Sequence, residues 1–154
     1  MKKLIVLMMA VLVCSLGTVA MAANDVIAVT VSLDAIYEVS LVPDVWDIGA
    51  QALDYVSSFT EFTAEVGNIA TKLQIKAANG DGAWTLGTVG SDEFRLECEA
   101  PALELTTEDQ VLDASVAAYN TQTFALKYYM PSADTIGATT AQGFDVTITA
   151  GAVD

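Results

Sequence analysis

The amino-acid sequence predicts an all-β domain made of two packed sheets, and three observations support this prediction. Apolar and polar residues alternate with a period of two along most of the chain, which is the pattern of strands that bury one face. Turn-forming Gly, Asn, Asp and Pro residues separate the alternating segments. A single sheet of this kind would expose its apolar face, so a second sheet has to cover it. Such strand spacing is typical of an immunoglobulin-like sandwich, here of about seven to nine strands.

Seven segments carry the alternation clearly enough to be predicted as strands. Their apolar faces begin, in chain order, at Ile27, Tyr37, Phe62, Leu73, Phe94, Phe124 and Phe144. The second of these strands should stop at Pro43, because proline cannot donate to a ladder. Residues 79–82, Asn-Gly-Asp-Gly, tolerate positive φ and predict a tight connection. Residues 87–92 and 131–137 are predicted loops.

Two segments stay ambiguous at this level. Residues 106–120 fit either a short helix or a strand followed by a loop. The apolar positions that allow both interpretations are Val111, Leu112, Val116 and Tyr119. Residues 49–58 carry no decisive pattern. Trp46 lies shortly after the end of a predicted strand, and we expect it to be a core residue.

The first 23 residues have the features of a secretory signal peptide. Lys2 and Lys3 precede an apolar run over residues 4–16, and Ala20-Met21-Ala22 is a small-x-small cleavage signal. The run is too short and wrongly flanked for a membrane span. We therefore expect residues 1–23 to be removed and residues 24–154 to form one sandwich domain. The mature chain, with no transmembrane segment, would be secreted or lie at the cell surface.

The two cysteines fit an exported protein. Cys14 would leave with the leader, so Cys98 would have no intramolecular partner. Cys98 shares an apolar face with Phe94 and Leu96, which predicts a buried structural thiol rather than a reactive one. Residues 11–14 resemble a lipobox with a bulky Val13 where a small residue is expected, so lipidation at Cys14 is an alternative.

Charge and composition exclude several classes of function. The chain has 20 acidic and 6 basic residues, and loss of the two leader lysines would lower its formal net charge from −14 to −16. Such a field repels phosphate backbones and anionic headgroups, so we expect no nucleic-acid partner. The chain contains no histidine, the most versatile general base. The sequence thus favours a protein that is not an enzyme, with a secreted hydrolase using paired carboxylates as a distant alternative.

Acidic loops raise a calcium hypothesis. Asn79, Asp81, Asp92 and Glu93 flank two loops that converge near Trp84 if the sandwich forms as predicted. Calcium takes six to eight oxygen ligands, which carboxylates, amides and carbonyls supply. Turn chemistry explains Asn79 and Asp81 without a metal, and we expect no other cofactor.

Aromatic side chains raise a second hypothesis, a ligand platform. Trp46, Trp84, Tyr128 and Tyr129 could form a platform for stacking on sugar rings, and Trp84 and Tyr129 are the candidate ligand-binding residues. Tyr129 lies opposite the apolar face of its strand and is therefore the best candidate for an exposed ring. Ordinary core and rim packing is the competing interpretation.

Two short motifs resemble secreted bacterial surface modules. Residues 42–49, Val-Pro-Asp-Val-Trp-Asp-Ile-Gly, resemble the opening strand of hydin-type immunoglobulin-like modules, and Gly67-Asn68 resembles part of the turn that follows there. Residues 79–86, Asn-Gly-Asp-Gly-Ala-Trp-Thr-Leu, resemble the first signature of WxL cell-surface domains. Val146-Thr147-Ile148 stands where that family has its second Trp-x-Leu. The resemblance implies architecture and location rather than wall attachment.

These observations favour a non-catalytic extracytoplasmic surface or structural protein, adhesive or filament-forming, whose partners are other surface proteins or itself. A carbohydrate- or cell-wall-binding module, with cell-wall polysaccharide as partner, is the alternative. The segment 24–33 has one apolar face and two open outcomes. It either completes its own sandwich or pairs with the open edge of a neighbour.

The leader generates the first testable prediction. N-terminal sequencing of exported protein should find cleavage after Ala22 or Ala23. Leu12→Arg places a charge in the apolar run and should block export, whereas Leu12→Val should leave it unchanged. Exported protein that still carries Met1 would contradict the prediction.

Overall fold

The alternating segments fold into nine β-strands in the computed structural model, which describes residues 36–80, 82–137 and 142–154. The strands are β1 (Val39–Val42), β2 (Thr60–Val66), β3 (Thr71–Asn79), β4 (Thr85–Leu86), β5 (Glu93–Cys98), β6 (Leu103–Glu104), β7 (Gln110–Val116), β8 (Thr121–Tyr129) and β9 (Phe144–Gly151). Within these residues the fold is all-β, and no helix is long and apolar enough to cross a membrane. The predicted leader and the predicted strand in 24–33 lie outside the described residues.

The strands form two sheets of unequal width. The larger sheet has six strands in the order β1-β2-β8-β5-β4, with β6 on the same side of β5 as β4. The smaller sheet has the order β7-β3-β9. All pairs are antiparallel except β4 with β5. The smaller sheet of three strands therefore packs against a larger sheet of six.

The core lies between the inner faces of the two sheets, as the alternation predicts. Leu73, Ile75 and Ala77 of β3 are at most 1 % exposed, since β3 is the central strand of the smaller sheet. The larger sheet contributes every second residue of its three longest central strands. These residues are Phe62, Ala64, Val66, Phe94, Leu96, Cys98, Phe124, Leu126 and Tyr128. The predicted two-sheet arrangement is confirmed for the described residues.

The ambiguous segment 106–120 contains a strand, β7, followed by a loop, and no helix. Its pairing with β3 shifts register twice, so β7 carries extra residues relative to its partner. Leu112 and Val116 both face the core, and Ala114 between them is exposed in the bulged strand. A spacing of four residues fits one face of a helix and one face of a strand alike, and the interrupted alternation is why the sequence pattern allowed both interpretations.

Two strands escaped sequence analysis because they are only two residues long. β4 runs parallel to β5 with Thr85 opposite Glu93, and β6 pairs with the other end of β5. The connection predicted at 79–82 does not close a hairpin, because β3 and β4 belong to different sheets. Residues 49–58 form no strand, although Val56 makes a single bridge to Tyr129.

The position of Cys98 generates a prediction. The thiol is 2 % exposed, and burial raises its pKa, with the Glu99 carboxylate adding to the effect. Maleimide should label native Cys98 far more slowly than a Glu99→Cys thiol placed beside it on the exposed face. Cys98→Ser should lower the free energy of unfolding by about 1–3 kcal/mol, because it buries a hydroxyl. Equal labelling rates would contradict the buried assignment.

Candidate functional site: a groove between the sheets

A groove of about 950 Å³ opens between the two sheets, where β1 and β9 are the outermost strands. We call it the inter-sheet groove. Its apolar lining comes from β1, β2, β8, β9, the segment that follows β1, and two residues next to strands, Trp84 before β4 and Met130 after β8. The lining side chains include Leu41, Trp46, Ile48, Phe62, Trp84, Phe124, Leu126, Tyr128, Met130, Phe144, Val146 and Ile148. The groove is thus an extension of the hydrophobic core that opens to the outside.

Aromatic contacts across the groove connect the larger sheet to β9. The Trp46 ring meets Phe62 of the larger sheet edge-on at 5.7 Å and Phe144 of β9 edge-on at 5.9 Å between centroids. Phe144 also stacks on Tyr128 at 5.3 Å. Such pairs add to the effect of buried area. Trp46 packs against the core, as predicted, but it is only half-buried and lines the groove.

Gln142 holds Trp84 at the groove. The side-chain oxygen Oε1 of Gln142 accepts hydrogen bonds from the backbone N–H groups of Ala83 at 2.6 Å and Trp84 at 3.2 Å. Trp84 is buried, at 8 % exposure. Its indole Nε1–H is buried with no hydrogen-bond partner among the described residues.

Carboxylates surround the apolar lining. Asp44, Asp47, Asp134 and Asp145 all border the groove. The oxygen Oδ1 of Asp47 accepts from the Gly49 N–H at 2.8 Å, and that of Asp134 accepts from the Gly137 N–H at 2.9 Å. These side chains therefore stabilise turns and also give the rim a negative charge. An occupant of the groove must be apolar and must not carry negative charge near this rim.

Tyr129 lies on the outer face of the larger sheet and not with Trp84. Its hydroxyl donates to Oε2 of Glu97 at 2.5 Å, while the Arg95 guanidinium sits 4.0 Å and the Lys127 ammonium 4.9 Å from the ring centroid. Arg95 also pairs with Glu97 at 2.8 Å. The structure thus brings Trp46, Trp84 and Tyr128 to one groove and leaves Tyr129 in a separate cation–π cluster.

Two of the four residues of the calcium hypothesis, Asn79 and Asp92, accept hydrogen bonds from backbone amides of other segments. Oδ1 of Asn79 accepts from the Leu86 N–H at 2.6 Å. The Asp92 carboxylate accepts from the Thr135 hydroxyl and from the Thr135 N–H at 2.8 Å. The hydroxyl bond is the main reason that the pKa of Asp92 is lowered. Each of these two side chains fixes a loop.

The other two residues of the calcium hypothesis, Glu93 and Asp81, complete no metal-binding cluster among the described residues. Glu93 is exposed at the start of β5, and Asp81 lies outside the described residues. Across 36–80, 82–137 and 142–154 there is no group of three or more His, Cys, Asp and Glu side chains placed to hold a metal ion. The calcium site stays a prediction.

The walls of the groove could not be recognised from the sequence. The alternation marked Phe144, Val146 and Ile148 as an apolar face, but it carried no signal that this face borders an open space. Ile48 lies after β1 in a segment without alternation, so no sequence pattern marked it as a groove residue. Only the pairing order of the strands reveals both walls, because it makes β1 and β9 the outer strands of their sheets.

Comparison with protein-family models and with curated proteins finds no match for this chain. The groove is therefore interpreted from its own geometry and chemistry.

Tyr128 generates a pH prediction. Burial raises the pKa of this phenol from 10.0 to about 12, so the unfolded chain loses the proton at lower pH than the folded chain. Stability should therefore fall as pH rises from about 10 to 12, by about 2–3 kcal/mol at most from this group. Urea unfolding across this range should show a smaller decline for Tyr128→Phe. Tyr119→Phe, at an exposed ring, is the matched control, and equal declines in both variants would contradict the assignment.

Proposed function

We propose that this chain is a non-catalytic extracytoplasmic structural protein, an immunoglobulin-like sandwich that acts at the cell surface by adhesion or by building filaments. The inter-sheet groove is the observation that carries the proposal. It is lined mainly by apolar and aromatic side chains, as expected of a surface that binds another chain.

The polar chemistry around the groove agrees with a binding role. The Asp47 and Asp134 carboxylates at the rim accept hydrogen bonds from turn amides, and they are committed to shaping loops. The large negative charge of the chain suits a protein that must stay soluble outside the cell. The leader features of residues 1–23 support export.

The proposal is tested by locating the protein in cells that express it. Protease added to intact cells should degrade the wild-type protein, and the Leu12→Arg variant, retained inside, should be protected. Deletion of the coding sequence should reduce cell adhesion or remove surface filaments. Protein found only in the cytoplasm would overturn the proposal, as would turnover of a glycoside that a single carboxylate substitution abolishes.

A cell-wall-binding module is the second candidate, and the half-exposed Trp46 ring in the groove favours it. Aromatic rings beside carboxylates are a common way to hold sugars through stacking and hydrogen bonds. In co-sedimentation with purified cell-wall polysaccharide, Trp46→Ala should reduce binding. Val45→Ala, at a neighbouring side chain that is 72 % exposed, should not. Equal binding by both variants would exclude the groove as a sugar site.

A further inference from the structure

β9 has a free hydrogen-bonding edge among the described residues. The smaller sheet ends at β9, whose described strand partner is β3. The Gly80 N–H donates to the Gly143 carbonyl at 3.3 Å, and the Ala77 N–H points away from β9 to the Thr106 carbonyl at 2.9 Å. These two bonds set the phase of the ladder, since antiparallel pairs alternate between bonded and non-bonded positions.

The phase decides which backbone groups face the free edge. Asp145 and Thr147 are opposite Ala78 and Lys76 and bond to β3. Phe144, Val146, Ile148 and Ala150 therefore direct their N–H and C=O groups to the free edge, while the first three of these side chains line the inter-sheet groove. A row of backbone donors and acceptors thus runs alongside an apolar groove. An added β-strand uses both features together.

We propose that the segment 24–33 of a second copy of this chain occupies the inter-sheet groove and pairs with the free edge of β9. This inference rests on the proposed function and gives it a mode of assembly. Ile27, Val29, Val31 and Leu33 would enter the groove, one at every second position.

The segment matches the groove in length and charge. Residues 26–33 number as many as those of β9, so both strands extend over about 26 Å. Residues 26–33 contain no charged side chain, so the carboxylates at the groove rim do not repel them. Asp25, the one charged side chain of the segment 24–33, precedes this stretch. β-Branched valine and isoleucine make up half of these residues, a composition typical of strands.

The described chain begins beside β2 of the larger sheet, whereas the edge of β9 belongs to the smaller sheet. The Ile36 N–H donates to the Asn68 side chain at 3.0 Å, and the Gly67 N–H donates to the Glu38 carbonyl at 3.0 Å. A donor segment from a second copy can pair with β9 without crossing between the two sheets of its own chain.

Exchange of this kind is head-to-tail, because the donor segment and the acceptor groove are different parts of the chain. A head-to-tail contact that does not close produces a filament. Like charge opposes the association of such acidic copies, so assembly should increase with ionic strength as repulsion is screened.

Two substitutions on opposite faces of the donor segment test the proposal. Val29→Asp charges the face that would enter the groove, and Thr30→Asp charges the other face. Sedimentation of mature wild-type chain and of Thr30→Asp should show oligomers that grow with concentration, at ionic strength of about 0.15 M. Val29→Asp should stay monomeric with an unchanged circular dichroism spectrum. A wild-type chain that remains monomeric up to the highest soluble concentration overturns the proposal.

A mixing experiment tests the direction of the contact. Val146→Asp charges the groove wall, and Thr149→Asp is its control on the outer face of β9. The Val29→Asp chain keeps an intact groove and the Val146→Asp chain keeps an intact donor. Each alone should be monomeric, and an equimolar mixture should give heterodimers. If the mixture of the two folded variants stays monomeric, the proposal is wrong.

A chain-termination experiment does not require the groove variant to fold. The Val29→Asp chain added to wild type should shorten the oligomers, because it accepts a donor and supplies none. Oligomers of unchanged length would contradict the proposal. Exported protein that is monomeric overturns this inference alone, whereas protein confined to the cytoplasm overturns the proposed function.

Discussion

The packing of β3 against the larger sheet is the interaction on which the rest of the described structure depends. Leu73 and Ile75 are completely buried there, and full burial of one such side chain contributes about 1.5–3 kcal/mol. β7 and β9 pair with the two sides of β3, so the whole smaller sheet is positioned by this strand. Because three strands face six, inward side chains of β2 and β8 reach the groove lining beside β9, although Phe62 and Phe124 themselves are almost fully buried. The inter-sheet groove follows from this mismatch in width.

Several polar side chains accept hydrogen bonds from backbone amides in the loops around the sandwich. Asn79, Asp92 and Gln142 each accept backbone N–H groups from a different segment of the chain. These backbone N–H groups lie outside the strand ladders, and the three side chains bond to them at the end of β3, at both ends of β4 and just before β5 and β9. Several acidic residues therefore serve loop geometry, whereas the inter-sheet groove is lined mainly by apolar side chains.

The sequence was sufficient to predict the long strands and the faces they bury. β2, β3, β5 and β8 alternate without interruption, so the phase of Phe62 or Leu73 could be assigned from the pattern alone. The bulges in β7 obscured a strand, because they interrupt the alternation at Ala114 and leave only the spacing of Leu112 and Val116, which also fits a helix. β4 and β6 are too short to show alternation. Strand type is encoded locally, whereas bulges and two-residue strands depend on the partner strand.

The candidate site was less accessible to sequence analysis, because it depends on which strands are neighbours. Trp84 and Tyr128 were identified as aromatic candidates, and period-two alternation already assigned Tyr129 to the opposite face of its strand from Tyr128. The sequence carried no sign that Trp84 lies on the same side as Tyr128. The opposing wall comes from β9, which begins sixty residues after Trp84 in the chain. Such long-range pairing leaves no trace in composition or motif.

Residue-resolved amide hydrogen exchange tests the central claim, that β9 is an acceptor edge, most directly. Amides bonded to β3, those of Asp145 and Thr147, should be protected at every protein concentration. The amides of Phe144, Val146 and Ile148 should exchange quickly in dilute monomer and become protected only as copies associate. Protection of all five amides in dilute monomer would contradict the account, since the edge would then already be paired within one chain. Fast exchange of the three edge amides in assembled protein would contradict it equally.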